Sequence, residues 1–530
     1  MTAPGALAPD RPGPKTRSGR PAAWWWVLAF AGLLPTVVPL VTLVVGVLTG
    51  DAATSVPLDR LAVLLRNTLA LAAAVTVTAV AIGIGTAWVT TKTDLPGRRL
   101  WSVIVAVPLV IPSYVFALTI LGAGGPGGAI SQAIGFELPS PTGFVGAWLA
   151  LSVFSVPYVH LSVVPALRSL DPALEEASRG LGASRWRTFR TITLPMLQPA
   201  VASSALLVAL YSVSDFGAVS LLRFDTFTRA VYAQYQGRID RQPALVLAFV
   251  LMLVALGIVV IERRTRRRAA YHRGRPARRT HRIELGAPAA AAAWTGLGVQ
   301  SAVSLFLPIG VLVTWLARGL SAGQEIGAVW AEAARSLGVS LAAGALAAMI
   351  AVPIAVVTVR HSSRISAAIE TTVWVGYAVP HITVGLAMVT FALAAVRPLY
   401  QTVVLVVVAY AAMFLPQSVG AARDALQRIS PDIELASRSL GRSSLATAMR
   451  ITVPLMARGL VAGGALVFLT AMKELPATLL LRPNGFETLA IRVWAATGEG
   501  FYTRASMAAL VLLAVSAVPL AAVTLRELDD

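Results

Sequence analysis

The stretch Glu176-Ala177-Ser178-Arg179-Gly180-Leu181-Gly182, followed by Ile192-Thr193-Leu194-Pro195, recurs as Leu435-Ala436-Ser437-Arg438-Ser439-Leu440-Gly441 and then Ile451-Thr452-Val453-Pro454. Ala177 and Ala436, Gly182 and Gly441, and Pro195 and Pro454 are each separated by 259 residues. Each copy lies between two long apolar stretches. A polar segment duplicated together with its apolar flanks marks an internal repeat of a membrane protein, and the rest of the chain reads in two registers of one pattern.

The chain has 530 residues, a mean hydropathy of +0.73 and 13% charged residues. Soluble domains carry about 25% charged residues, and apolar runs of about 20 residues or more indicate a bilayer. The sequence holds no Cys, which excludes disulfides, thiolate metal sites and cysteine catalysis. The net charge of +19 is concentrated in two places. One is an N-terminal tail with Arg11, Lys15, Arg17 and Arg20; the other is a linker with ten Arg between Arg263 and Arg282. Basic segments beside apolar spans follow the positive-inside bias of membrane proteins, so they argue against nucleic-acid binding. The N-terminus is too polar, and its first apolar run too long, for a cleaved signal peptide.

Apolar runs place spans near 24–48, 67–91, 100–121, 143–165, 198–220 and 243–261, and again near 293–317, 336–359, 371–396, 402–422, 459–480 and 506–525. Most reach the roughly 20 residues a helix needs to cross about 30 Å of hydrocarbon. With no water to satisfy the backbone, such spans are helices. The basic tail sets the N-terminus inside. The loop with Lys92, Arg98 and Arg99, the loop with Arg168, Arg179, Arg185, Arg187 and Arg190, and the basic linker then also fall inside. The segment Arg223 to Arg241, with four Arg and two Asp, falls outside and runs against the rule.

The expected organisation is a basic cytoplasmic tail (1–23), a first repeat (24–262) with a polar loop near 168–197, a basic cytoplasmic linker (263–292) and a second repeat (293–530) with a polar loop near 423–457. Pro157 matches Pro416 at 259 residues and Pro112 matches Pro380 at 268. Arg66-Asn67-Thr68-Leu69 echoes Arg335-Ser336-Leu337-Gly338. The change of offset falls at the glycine-rich loop after the third span. Both halves begin and end inside, so they are parallel repeats about an axis along the membrane normal, with a path between them.

Within each polar loop, Asp171-Pro172 and Ser430-Pro431 read as helix starts, with a capping side chain and Pro in the first turn. Glu175, Glu176 and Glu434 add acid near those starts, favourable with the helix dipole. Ala177, Ser178, Ala436 and Ser437 are small enough for another surface to approach. Gly182 and Gly441 stop the short helix, and Pro195 and Pro454 start the next span. The second copy has Leu435 in place of Glu176 and Ala448 in place of Phe189. The pattern resembles the EAA loop by which permeases of binding-protein-dependent ABC importers dock on their ATPase. The resemblance implies that Glu175, Glu176, Ala177, Ser178, Gly182 and Pro195, with Glu434, Ala436, Ser437, Gly441 and Pro454, form two ATPase-docking sites. Given the departures at Leu435 and Ala448, the two sites are expected to be unequal.

Further motifs narrow the resemblance. Ser214-Asp215-Phe216-Gly217 and Asp225-Thr226-Phe227-Thr228-Arg229 follow the first copy; Lys473-Glu474-Leu475-Pro476-Ala477-Thr478 and Phe486-Glu487-Thr488-Leu489-Ala490 follow the second. These resemble the fused two-repeat permeases of ferric iron importers, a family in one superfamily with thiamine and phosphonate importers. The resemblance implies an all-α membrane protein of about 12 transmembrane helices, two parallel six-helix repeats with the type I ABC importer permease (MetI-like) fold, in the bacterial cytoplasmic (inner) membrane. It also implies an extracytoplasmic binding protein and two copies of a cytoplasmic ATPase. That ATPase would use ATP and Mg, with no cofactor held by this chain. Import of thiamine, phosphonate or polyamine is the alternative.

Asp215 and Glu474 are 259 residues apart, and each follows the start of its span by 16 residues, or about 24 Å at 1.5 Å per residue. Both are expected in the outer part of the membrane where the halves meet, and as a carboxylate pair they would suit a hard cation on a translocation path. The competing reading is that Lys473 neutralises Glu474 and Asp215 caps a helix end. His381, Tyr211, Tyr232 and Tyr235 are weaker ligand candidates, since a packed or pore-facing polar residue accounts better for His381 and interfacial aromatic residues are the default for the tyrosines. No Gly-x-x-x-x-Gly-Lys-Ser/Thr loop occurs, so the chain handles no ATP itself. A twelve-span secondary transporter would leave the paired polar loops unexplained, and a membrane-embedded enzyme would lack a His or Cys cluster.

Overall fold

The structure, a computed structural model, describes residues 22–50, 56–124, 139–237, 240–266 and 283–529, with a few positions between 125 and 138. The basic tail and most of the Arg263–Arg282 linker lie outside the described residues.

The first repeat runs α1 (Ala23–Thr49), α2 (Leu58–Lys92), α3 (Arg98–Ala106), α4 (Ser113–Ala123), α5 (Gly143–Ser169), α6 (Pro172–Gly180), α7 (Leu194–Ser214), α8 (Gly217–Leu221), α9 (Phe227–Gly237) and α10 (Gln242–Arg266). The second runs α11 (Ala287–Ser301), α12 (Leu307–Ser321), α13 (Trp330–Arg360), α14 (Arg364–Ala378), α15 (His381–Ala395), α16 (Val403–Gln427), α17 (Pro431–Ser439), α18 (Val453–Met472), α19 (Pro476–Leu481), α20 (Leu489–Gly498) and α21 (Tyr502–Asp529). The order is the same in both halves, except that α11 and α12, joined through a wide turn at Ala302–Phe306, together occupy the place of α1.

Among the described residues, nine helical segments are long and apolar enough to cross a bilayer, or eleven if two bent pairs each count as one span. The remaining expected span is α21, whose stretch Tyr502–Ala517 is apolar. Side chains such as Val27, Phe30, Leu34, Val41 and Val45 on α1 are exposed, as lipid-facing positions require.

Two expectations need correction. The third span of each repeat is not straight: α3 with its 3-10 extension meets α4 at 97°, and α14 meets α15 at 107°. The cause is Pro112 and Pro380, which remove a backbone donor and push the preceding residue out of the helical region. Ile111 and Val379 accordingly have ψ of 118° and 128°. The fifth spans, expected to reach 220 and 480, end at Ser214 and Met472 and give way to the short helices α8 and α19. The second spans align at 268 residues, Lys92 with Arg360, one residue off the pairing of Arg66 with Arg335.

Each half has α2, α5 and α7, or α13, α16 and α18, as mutually packed helices. Small residues allow the closest approaches. A Cβ on Gly344 of α13 would stand 2.6 Å from the Gly464 carbonyl of α18, and one on Gly83 of α2 would stand 2.5 Å from Val159 of α5. The first helix of each half packs on the other half. α1 lies against α13, α14 and α15, whereas Trp294 of α11 meets Trp101 of α3 edge-on at 5.2 Å, and Trp315 of α12 covers Gly122 of α4. This exchange locks the two repeats into one body.

Candidate functional site

The two polar loops fold identically. Asp171 Oδ1 accepts the Ala173 N–H at 3.0 Å and Ser430 Oγ accepts the Asp432 N–H at 3.3 Å, opening α6 and α17. Both helices end in a Schellman turn. Leu181 N–H reaches the Ala177 carbonyl, Ala183 N–H reaches the Ser178 carbonyl, and Gly182 takes φ +86°. The equivalent bonds join Leu440 to Ala436 and Arg442 to Ser437, with Gly441 at φ +83°. A positive φ at this position is what glycine supplies without cost. Ser184 and Ser443 then cap one-turn segments, Arg185–Thr188 and Ser444–Thr447. Wide π turns at Phe189–Thr193 and Ala448–Thr452 lead into α7 and α18, where Pro195 and Pro454 occupy the first turn.

The faces of these helices divide sharply. Glu176, Ala177, Leu435, Ala436, Pro195 and Pro454 are exposed. Leu181 and Leu440 are 90% and 83% exposed, and Leu174, Trp186, Ile433 and Leu445 are also exposed at equivalent positions. Sequence reading passed over this apolar set. The signal was available: apolar residues retained 259 residues apart inside a polar loop.

Glu175, Ser178, Glu434 and Ser437 point inward instead. Ser178 bonds Thr188 at 3.1 Å and Ser437 bonds Thr447 at 2.9 Å, tying each short helix to the segment after it. Lys92 Nζ, at the last residue of α2, pairs with both oxygens of Glu175 at 3.2 Å, and Thr193 donates to Glu175 Oε1 at 2.9 Å. In the second half Arg360, at the last residue of α13, donates to Glu434 Oε1 at 3.3 Å, and Thr452 does so at 3.2 Å. Phe189 packs edge-on against Trp88 of α2 at 5.0 Å, whereas its counterpart Ala448 is simply buried.

Asp215 and Glu474 sit at the far ends of α7 and α18, 6% and 5% exposed. Asp215 Oδ1 accepts the N–H groups of Ala218 and Val219, and Ser113, the first residue of α4, donates to Oδ2. Glu474 Oε1 accepts the Ala477 N–H at 3.1 Å, and His381, the first residue of α15, lies 2.8 Å from Oε2 through Nδ1. Each carboxylate therefore holds the start of a short helix and the first residue after the proline bend. Lys473 does not neutralise Glu474; its Nζ donates at 2.8 Å to the Leu109 carbonyl, in the 3-10 turn of the other repeat. Both residues lie in the break between α18 and α19, where the chain turns and the two side chains take separate partners.

Of the tyrosines, Tyr211 stacks on Phe154 at 4.8 Å, Tyr232 accepts from Gln236 at 2.6 Å, and Tyr235 lies under Arg241 at 5.1 Å. Phe216 and Tyr232 of the first repeat meet Trp494 of the second, at 5.1 and 6.3 Å. Among the described residues no group of three or more Asp, Glu or His side chains is placed to hold a metal ion.

The description "binding-protein-dependent transport system inner membrane component" belongs to a family whose pattern matches residues 79–267 and again residues 340–526. The chain belongs to this family. As such a permease it is a multi-pass membrane transport subunit of an ABC importer. The permease is 31% identical over 507 residues to the Fe(3+)-transport system permease protein FbpB 2 of Haemophilus influenzae, covering 94% of this chain and 97% of that protein. It is 33% identical over 134 residues to the sulfate transport system permease protein CysT of Escherichia coli, covering 25% of this chain and 48% of that one. With the molybdenum transport system permease protein ModB of Escherichia coli the identity is 35% over 134 residues, 25% of this chain and 58% of that one.

Proposed function

We propose that this permease imports ferric iron delivered by an extracytoplasmic binding protein, driven by two copies of a cytoplasmic ATPase that hold ATP and Mg. The observation that carries the iron reading is the likeness to the Fe(3+)-transport permease of Haemophilus influenzae, which extends over both repeats. The sulfate and molybdenum permeases match a quarter of the chain and share less of it.

ATPase docking is assigned to α6 and α17. In support, each capped helix and the turn and one-turn segment after it present an exposed apolar set, Leu174, Leu181 and Trp186 or Ile433, Leu440 and Leu445. Exposed leucines at the tip of a polar loop suit a partner cleft. In this reading the motif loops, the N-terminus and the basic linker are cytoplasmic, and α8, α9, α19 and α20 lie towards the outer face.

The deciding experiment is uptake of radiolabelled ferric iron by cells lacking and then regaining the permease, with sulfate and molybdate measured in parallel. Iron uptake that returns alone supports the assignment. Return of sulfate or molybdate uptake with iron unchanged replaces it with oxyanion import. Thiamine, phosphonate or polyamine would be tested next if none of the three returns.

A further inference from the structure

Lys92 and Arg360 carry no role in the docking surface, yet both are drawn into it. Each is the final residue of the long second helix of its repeat. Their side chains are 3% and 11% exposed, and their carboxylate partners Glu175 and Glu434 are 17% and 10% exposed. Each pair joins a helix C-terminus, where a cation is favoured, to a helix first turn, where an anion is favoured. The same carboxylate takes a hydroxyl from Thr193 or Thr452, the last residue of the π turn entering α7 or α18. One carboxylate therefore ties three elements: the docking helix, the end of the second span and the start of the fifth. The arrangement occurs twice in one chain, with Lys in one copy and Arg in the other.

We propose that Lys92–Glu175–Thr193 and Arg360–Glu434–Thr452 are coupling struts that carry movement of each docking helix into the transmembrane core. Lys92 and Arg360 are positioning residues: they touch neither ATPase nor cargo. The proposal rests on the docking assignment of α6 and α17. A desolvated pair is a rigid link only while both members remain, because loss of one leaves a buried charge unpaired. Without the strut, the short helix would stay in the ATPase cleft but swing on its own loop.

The test uses the full transporter, with its ATPase and binding protein, in liposomes. Three quantities are read: ATPase retained on the permease, ATP hydrolysed, and cargo taken up per ATP. Lys92→Met should leave ATPase retention unchanged and lower uptake per ATP about tenfold, the scale of coupling lost at residues between two sites. Lys92→Arg, which copies the second repeat, should restore it. Thr193→Val and Thr452→Val keep volume and charge, so they remain informative if Lys92→Met yields no folded protein; each should lower the same ratio about threefold. Unchanged uptake per ATP in the two threonine variants overturns the proposal, as does a loss of ATPase retention in Lys92→Met. Failure of the wild-type permease to retain any ATPase would instead overturn the docking assignment.

Discussion

His381 Nδ1 stands 2.8 Å from Glu474 Oε2, at the place where the first repeat sets Ser113 against Asp215. Both acids also accept backbone N–H groups at the start of a short helix, α8 or α19. The two halves thus use one geometry with different chemistry. The first closes its bend with a neutral hydroxyl and the second with an imidazole.

That difference separates a capping role from a charge role. An amide accepts the same backbone hydrogen bonds as a carboxylate, so Asp215→Asn and Glu474→Gln change charge and keep the cap. We expect the double variant to be extracted in detergent at wild-type yield and to take up cargo about tenfold more slowly, roughly 1.4 kcal/mol of barrier. Asp215→Ala, which removes the cap, should lose about 1–2 kcal/mol of stability. Thermal unfolding of the purified permease and uptake per folded transporter measure the two effects. Wild-type uptake in the double variant would move cation selection to the binding protein.

Gly182 and Gly441 test whether the Schellman turns matter for transport. Neither has an atom within 4 Å of where a Cβ would lie, so an added Cβ meets no steric clash. The positive φ itself costs about 1–2 kcal/mol for a residue other than glycine. We expect Gly182→Val and Gly441→Val each to insert and fold but to lose most uptake, because the exit of the docking helix is re-aimed. Leu435 and Ala448 make the second loop differ from the first, so the two variants should differ in severity. Normal uptake in both would remove the docking role from these loops.

Much of the fold was legible in the sequence because apolar length and a constant repeat offset both survive without side-chain detail. The bends at Pro112 and Pro380 were half legible. The prolines stand out as breaks, but the apolar run continues through them and gives no bend angle. The early ends of α7 and α18 were missed for the same reason, since α8 and α19 are apolar enough to pass as membrane. The partners of the candidate site were not legible. Lys92 meets Glu175 across 83 positions and His381 meets Glu474 across 93, distances over which no periodicity carries information. The resemblance places Glu175 and Glu434 among the docking residues, but a helix turns its faces every residue, and these two face inward.

The close crossing of α13 and α18 gives a stability test away from both candidate sites. A Cβ on Gly344 would stand 2.6 Å from the Gly464 carbonyl, a backbone atom that cannot give way without moving the helix. Gly344→Val should therefore reduce extracted folded permease and lower its unfolding temperature by several degrees, about 2 kcal/mol of overpacking. Gly338→Ala on the same helix has open space around it and should be silent in the same assay. Equal behaviour of the two would mean that α13 and α18 do not approach as closely as this.

Leu181 and Leu440 provide the sharpest separation of folding from docking. They are 90% and 83% exposed, and each sits at the end of a helix already closed by its own backbone hydrogen bonds. Replacing either by Asp removes nothing from the permease core, and surface changes of this kind cost within about 0.5 kcal/mol. In an ATPase cleft, however, the same change buries an unpaired carboxylate and forfeits the leucine's contact, together about 2–4 kcal/mol. We therefore expect Leu181→Asp and Leu440→Asp to leave unfolding temperature unchanged while cutting retention of the ATPase by roughly thirtyfold or more, with the double variant retaining none. The first loop also carries Trp186 where the second has Leu445, and large aromatic anchors contribute disproportionately to interfaces. Loss of retention should then be less severe for Leu181→Asp than for Leu440→Asp, because Trp186 remains to hold the first loop. ATPase bound as tightly to the double variant as to the wild type would show that these leucines face lipid or solvent in the assembled transporter.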